Sequence, residues 1–106
     1  MRWHNVREKP ERAGIGANEL LLAWHRYNGV LVTTADEIGR NRFFTHWRRI
    51  PDIWIDPRER LPDKSDADVY GCVLIRRSWG EILEIGWWQV RNALHIDGWT
   101  HNPSAP

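Results

Sequence analysis

A short pattern of residues occurs twice in this chain, about fifty positions apart. Thr45-His46-Trp47 is followed by Pro51, and Thr100-His101-Asn102 is followed at the same spacing by Pro106. Earlier residues also match in the same order: Trp3 with Trp54, Arg7 with Arg58, Glu8 with Glu59, Pro10 with Pro62, Leu22 with Leu74, and Gly29 with Gly80. A unit of ~50 residues buries too little apolar surface to be stable alone. We therefore predict two tandem units, residues 1–52 and 53–106, that share one globular domain.

The first unit contains a strong hairpin signal. Asn28-Gly29 lies between two apolar runs, residues 20–27 and 30–34. Asn-Gly is typical of a two-residue type I′ turn, because both central residues of that turn need positive φ. Such a turn predicts that Tyr27 lies opposite Val30. A helix over residues 18–27, capped by Asn18, is the alternative.

The remaining apolar runs also favour strands. We predict further strands over residues 43–50, 69–77, 81–90 and 94–100, and no more than one helical turn after Thr34. Eight tryptophans supply a large apolar area from few side chains. The predicted fold is therefore mostly β, with two similar three-stranded antiparallel units packed with pseudo-two-fold symmetry around a Trp-rich core.

Charge and hydropathy argue against a strongly basic nucleic-acid-binding protein, a membrane-spanning protein and a secreted protein. The net charge is only +1, which predicts weak bulk attraction to nucleic acid or to a membrane. Residues 1–52 carry nine Lys and Arg against six Asp and Glu, whereas residues 53–106 carry six against eight. No apolar run approaches the ~20 residues that span a bilayer, and residues 1–5 lack the apolar core of a signal peptide. We expect a cytoplasmic protein.

The repeated motifs resemble a small domain family of unknown function that is frequent in phage and prophage genomes. Its pattern is Trp-x-x-Val-x-Glu-x-x-Pro followed, after a hairpin, by Thr-His-Trp-x-x-(Ile/Leu)-Pro, and Pro10 lies one residue before the position of the first proline. The matching residues of the first copy are Trp3, Val6, Glu8, Thr45, His46, Trp47, Ile50 and Pro51. Those of the second are Trp54, Glu59, Leu61, Pro62, Thr100 and His101, with Asn102 in place of the tryptophan and Pro57 in place of the valine. The resemblance implies a phage or mobile-element origin, a host cell as the site of action, and no established activity.

The sequence contains no recognisable catalytic motif. The single cysteine, Cys72, lies in an apolar run, and the serines lack a Gly-x-Ser-x-Gly context. None of the five histidines has the spacing of a helical zinc site, although the repeat places His46 and His101 at equivalent positions. We expect no enzyme activity, no cofactor and no metal.

Binding to another macromolecule is the favoured function. Trp and Arg are enriched at protein interfaces. We expect Trp79 and one of Trp87 and Trp88 to be exposed. The residues predicted to bind a partner are Arg40, Arg42, Arg48, Arg49, Asp66, Asp68 and Trp79. The leading hypothesis is a non-enzymatic accessory protein that blocks a host protein complex, as anti-CRISPR proteins do. The alternative is a small nucleic-acid-binding module that uses the arginines and aromatic rings of residues 40–49.

Overall fold

Strands in two antiparallel sheets form most of the regular structure, which confirms the predicted mostly β fold class. The computed structural model of the protein describes residues 2–103 and 105–106. The chain divides into two compact units: unit 1 is Met1–Ile50 with Ala105–Pro106, and unit 2 is Pro51–Ser104. The boundary therefore lies two residues before the predicted one, and the last two residues belong to unit 1.

Unit 1 contains a four-stranded sheet. Its elements are β1 (His4–Asn5), a 3-10 helix (Pro10–Ala13), β2 (Leu20–His25), β3 (Gly29–Thr34), α1 (Ala35–Arg40) and β4 (Phe44–Arg48). The strand order is β1-β4-β2-β3, so the hairpin strand β2 lies between β3 and β4. The two-residue edge strand β1 adds a fourth strand to the three that were predicted.

The β2–β3 hairpin is confirmed, but its predicted turn is wrong. His25 pairs with Gly29, and Trp24 pairs with Val30, which leaves a three-residue loop. Gly29 has φ 75°, whereas Asn28 does not have the positive φ that a type I′ turn requires. The His25 ring explains the longer loop, because its Nδ1 accepts the backbone N–H groups of Tyr27 and Asn28 at 3.2 Å each.

Helix α1 begins where the sequence indicates and is longer than the single turn predicted. The hydroxyl of Thr34 accepts the backbone N–H of Glu37 at 3.2 Å, as an N-cap residue does. Ala35 and Ile38 are both buried, so packing holds the helix through Gly39 despite the poor helix propensity of glycine.

Unit 2 contains a three-stranded sheet of order β6-β5-β7. Its elements are a 3-10 helix (Lys64–Asp66), β5 (Cys72–Arg77), β6 (Ile82–Gly86), a second 3-10 helix (Trp87–Asn92) and β7 (Ile96–His101). The strand predicted over residues 81–90 ends at Gly86. Trp87 and Trp88 therefore lie on a 3-10 helix and not on opposite faces of a strand.

Strands β4-β2-β3 of unit 1 and β7-β5-β6 of unit 2 have the same order and the same register at an offset of 52 residues. Ala23 pairs with Trp47 as Ile75 pairs with Trp99, and the register shifts after Trp24 as it does after Arg76. This register makes the sequence alignment of the second motif wrong. Trp99, and not Asn102, occupies the position of Trp47, and Gly98, and not His101, occupies that of His46.

Each of these two tryptophans anchors its own unit. The Trp47 indole N–H donates to the carbonyl of Glu8 at 2.7 Å, and the Trp99 indole N–H donates to the carbonyl of Arg60 at 2.8 Å. Both rings are buried among mainly aliphatic side chains, with one fully buried tryptophan in each unit. The predicted two-fold packing of the units around a shared Trp-rich core stays a prediction.

A methyl group at Gly98 is expected to destabilise unit 2. A Cβ at this position would lie 2.8 Å from the Cβ of Trp54, which moves only with its backbone. We expect Gly98→Ala to lower the free energy of unfolding by about 1–3 kcal/mol, measured by urea denaturation. Gly86→Ala is the matched control, because its Cβ would lie equally close to the outer ring of Trp88, which is half exposed and can turn away. Equal losses in the two variants would contradict this explanation.

Candidate binding surfaces

The tip of the β5–β6 hairpin carries an exposed apolar surface. Trp79 is 63% exposed, and its ring centroid lies 5.7 Å from that of His95. Leu94, next to His95 in the chain, is 74% exposed. We call Trp79, Leu94 and His95 the tip patch.

The backbone beneath the tip patch is held firmly. The backbone N–H and hydroxyl of Ser78 donate to the carbonyl of His95 at 2.8 and 3.1 Å, and Nη1 of Arg77 donates to the carbonyl of Leu94 at 3.0 Å. His95 has φ 62°, the one left-handed residue other than glycine among those described. This conformation is costly for a residue with a Cβ, and the contacts from Ser78 and Arg77 maintain it.

Unit 1 presents a ring pair at the equivalent place. The centroids of Tyr27 and Phe43 also lie 5.7 Å apart, and Tyr27 is 72% exposed. An arginine lies over one ring of each pair: Arg42 is 5.4 Å from the Phe43 centroid, and Arg77 is 5.6 Å from that of Trp79. Burial does not explain rings this exposed at matching positions, so both are candidates for contact with a partner.

A second exposed apolar surface of unit 2 contains Trp88. The ring of Trp88 covers the backbone of Gly71 and Gly86 and is still 56% exposed. Val69 and Tyr70, which precede Gly71, are also exposed. One of the two neighbouring tryptophans was predicted to be exposed, and Trp88 is that residue, while Trp87 is half-buried.

Two open grooves flank the segment from Lys9 to Ala13 in unit 1. The larger, of ≈ 820 Å³, lies between this segment and α1 and is lined by Lys9, Arg40 and Arg42 among others. The smaller, of ≈ 320 Å³, is lined by Arg7, Lys9 and Arg12, with His4 and Trp47 also at its wall. Lys9 lines both grooves.

The units differ in how their arginines are paired. In unit 2, Arg58 and Arg60 form ion pairs with Asp56 and Asp66 at 2.9 and 3.0 Å. In unit 1, within the part of the chain that the structure describes, the side chains of Arg7, Lys9 and Arg12 make no ion pair and are exposed. The positive balance of residues 1–52 is therefore presented to solvent along the two grooves.

The predicted basic stretch does not form one surface. Arg40 and Arg42 line the larger groove, where Arg40 also pairs with Asp36 at 3.1 Å. Arg48 lies over the ring of Trp3 at 5.5 Å, its Nε is buried with no hydrogen-bond partner among the described residues, and burial lowers its pKa.

Arg49 lies elsewhere, 3.5 Å from the carboxylate of Glu19 and 3.4 Å from the carbonyl of Ala13. Arg49 follows the last residue of β4, and its contacts with Glu19 and Ala13 are separate from the contact of Arg48 with Trp3. Only half of the predicted basic residues therefore face the grooves.

The two acidic residues that were predicted to bind a partner, Asp66 and Asp68, make hydrogen bonds within unit 2. Asp66 is only 9% exposed, and its carboxylate accepts two hydrogen bonds from Arg60 and one from the backbone N–H of Asp63. Asp68 accepts the backbone N–H groups of Tyr70 and Cys72 at 2.9 Å each, and the side-chain amide of Asn102 at 2.7 Å. These contacts leave Asp66 little surface for a partner.

Sequence reasoning missed most of this geometry. The ring pairs join residues that are 16 positions apart in the chain, and the groove joins Lys9 to Arg42. The turn glycines gave no usable signal, because setting Gly29 on Gly80 pairs Asn28 with Trp79, whereas the sheet register pairs Tyr27 with Trp79.

The described residues show neither a metal cluster nor a membrane-spanning helix. The described residues contain no group of three or more His, Cys, Asp or Glu side chains that could hold a metal ion. Burial, with nearby Asp68 and Glu84, raises the pKa of the Cys72 thiol. Among the described residues, no helix has the length and apolar character needed to span a membrane.

Comparison with protein-family models, with curated proteins and with solved structures finds no match for this chain.

Proposed function

We propose that this protein is a non-enzymatic accessory protein of phage type that binds and blocks a host protein complex in the cytoplasm. Its most specific form would be inhibition of a host defence complex, as anti-CRISPR proteins do. The observation that carries the proposal is the tip patch, in which a mostly exposed tryptophan stands on a backbone fixed by Ser78 and Arg77.

The distribution of apolar surface supports unit 2 as the partner-binding unit. Ten large hydrophobic side chains are exposed among the described residues, and seven of them lie in unit 2. A tryptophan on a rigid support loses little conformational freedom when it is buried by a partner, and tryptophan is the residue type most enriched at binding hot spots. Unit 2 thus offers an anchor that is organised before binding.

The charge of unit 2 suggests the kind of partner. Residues 53–106 carry eight Asp and Glu against six Lys and Arg, and basic protein surfaces are complementary to such a balance. Proteins that handle nucleic acids have basic surfaces of this kind. Together with the resemblance of the motifs to a phage domain family, this supports a host nucleic-acid-handling complex as the target and steric occlusion as the mechanism.

Truncation of Trp79 is expected to weaken partner binding. The immobilised protein is incubated with nuclease-treated host lysate, and the recovered protein complex is then titrated against wild type and Trp79→Ala. Loss of a central tryptophan at an interface costs about 2 kcal/mol or more, so Kd should rise at least ~30-fold.

Ile53→Ala is the matched control, because Ile53 is also an exposed hydrophobic residue of unit 2 but lies outside the tip patch and the surface around Trp88. It should bind as wild type does. The proposal would be contradicted if Trp79→Ala bound the recovered complex as tightly as wild type does. It would also be contradicted if the complex were recovered only from lysate that had not been treated with nuclease.

A further inference from the structure

We propose that unit 1 carries a binding site for single-stranded nucleic acid, with the phosphate backbone in the two grooves beside Lys9 and bases stacked on the ring pair of Tyr27 and Phe43. This site is distinct from the tip patch and lies on the other unit. It also differs from the basic stretch predicted from the sequence, because Arg48 and Arg49 are not part of it.

The grooves provide a line of cations suited to a polyanion. Arg7 and Arg12 line the smaller groove, Lys9 lines both, and Arg40 and Arg42 line the larger. Two of the acidic groups beside them are already engaged: Glu8 with His4 and Arg2, and Asp36 with Arg40.

Hydrogen bonding to His4, with the charge of Arg2 adding to it, lowers the pKa of the Glu8 carboxyl. That carboxylate stays ionised and is held by Arg2 and His4, whereas the side chains of Arg7, Lys9 and Arg12 make no ion pair among the described residues, so these cations outnumber it in the smaller groove. Cations without acidic partners are the groups that exchange their counterions for phosphates.

Arg42 connects the cationic groove to the rings. It lines the larger groove and its guanidinium lies over the Phe43 ring, so a chain following the groove arrives directly at Tyr27 and Phe43. The exposed Arg26 precedes Tyr27 in the chain, and its backbone N–H donates to the carbonyl of Phe43 at 2.7 Å. An exposed ring beside a cation is the usual element of a platform for single-stranded nucleic acid, where stacking contributes about 1–3 kcal/mol per base.

The rings favour a single strand over a duplex and over an acidic protein. Bases in a duplex are already stacked on each other and cannot lie on Tyr27, whereas unpaired bases can. An acidic peptide would use the cations but gain little from the exposed ring. Dependence of binding on both the ring and the cations therefore identifies the ligand class.

The test measures binding of fluorescent dT20 and rU20 by anisotropy at 50 and 200 mM NaCl. About three or four phosphate contacts predict a slope of roughly −2 to −3 in log K against log salt, which is about a 20- to 50-fold loss of affinity over this range. Tyr27→Ala should raise Kd at least ~5-fold with an unchanged slope. Lys9→Gln should weaken binding and reduce the magnitude of the slope by about 0.7.

Matched controls distinguish binding at this site from a general effect of the protein's net charge. Arg91→Gln removes one exposed cation from unit 2, and Tyr70→Ala removes one exposed ring from unit 2. Both should bind as wild type does, and Arg49→Gln should also do so. All variants alter exposed side chains, and thermal melting checks that each is folded.

Several outcomes would overturn the inference. One is that neither oligonucleotide binds at 50 mM NaCl, and another is that Tyr27→Ala leaves Kd unchanged. Equal weakening of oligonucleotide binding by Arg91→Gln and Lys9→Gln would also contradict it, as would displacement of the fluorescent oligonucleotide by polyglutamate as effectively as by unlabelled dT20. The last result would assign the grooves to an acidic protein partner. Because Trp79→Ala should leave oligonucleotide binding unchanged, failure here and failure of the proposed function are distinguishable.

Discussion

Trp99→Ala is expected to lower the free energy of unfolding by about 3–5 kcal/mol, the typical loss for a large aromatic residue removed from a core. Trp99 is fully buried against Val73, Ile75 and Val90. The substitution also removes the indole N–H that binds the carbonyl of Arg60 at 2.8 Å. A loss of this size is a large fraction of the ~5–15 kcal/mol that stabilises an ordinary domain.

Urea denaturation followed by circular dichroism measures the effect. Trp47→Ala should cost a similar amount, because Trp47 makes the corresponding hydrogen bond to Glu8 in unit 1. Trp79→Ala is the control, since its ring is mostly exposed, and it should cost less than about 1 kcal/mol. If Trp79→Ala and Trp99→Ala destabilised the protein equally, Trp99 would not be the anchor of unit 2.

Asp66→Asn is expected to lower the free energy of unfolding at pH 7 by about 2–3 kcal/mol, because it removes a buried charged partner from a hydrogen-bonded pair. Hydrogen bonds from Arg60, and then the backbone N–H of Asp63, hold the pKa of the Asp66 carboxyl below its usual value, although burial opposes them. The ionised form is thus favoured in the folded state.

The lowered pKa of Asp66 determines how the stability of the protein changes with pH. A carboxyl group with a lowered folded pKa contributes stability above its unfolded pKa of about 3.9, and that contribution is lost as pH falls through the folded value. The difference between wild type and Asp66→Asn should therefore be largest near neutral pH and shrink as pH falls below about 4.

Urea denaturation at a series of pH values measures this difference. Asp52→Asn changes the charge by the same amount at an exposed position and should follow wild type. A difference for Asp66→Asn that stayed constant down to pH 2 would show that the ion pair with Arg60 is not its source.

Local sequence patterns predicted part of the fold. Asn28-Gly29 between two apolar runs predicted the hairpin, because strand pairing across a short loop depends on residues close in the chain. The hydroxyl of Thr34 predicted the start of α1 for the same reason. The turn length was wrong, since it depends on how the His25 ring folds back on the loop.

The repeat was visible in the sequence, but its register was not. Thr-His occurs in both halves, and matching letters led to the alignment of Trp47 with Asn102. The pairing of Ile75 with Trp99 shows that the true counterpart is Trp99, because burial and the hydrogen bond to a preceding carbonyl define this position. A match of three residues in sequence is weaker evidence that two positions are equivalent than the same pairing position in a sheet.

The candidate surfaces depended most on tertiary structure. Composition favoured a surface rich in Trp and Arg, and turn position favoured Trp79 as an exposed ring, because residue type and turn position are local properties. Which cations are unpaired, and which rings they flank, depends on contacts such as Arg60 with Asp66 and Arg42 with Phe43. Those contacts join distant residues, and only the folded chain brings them together.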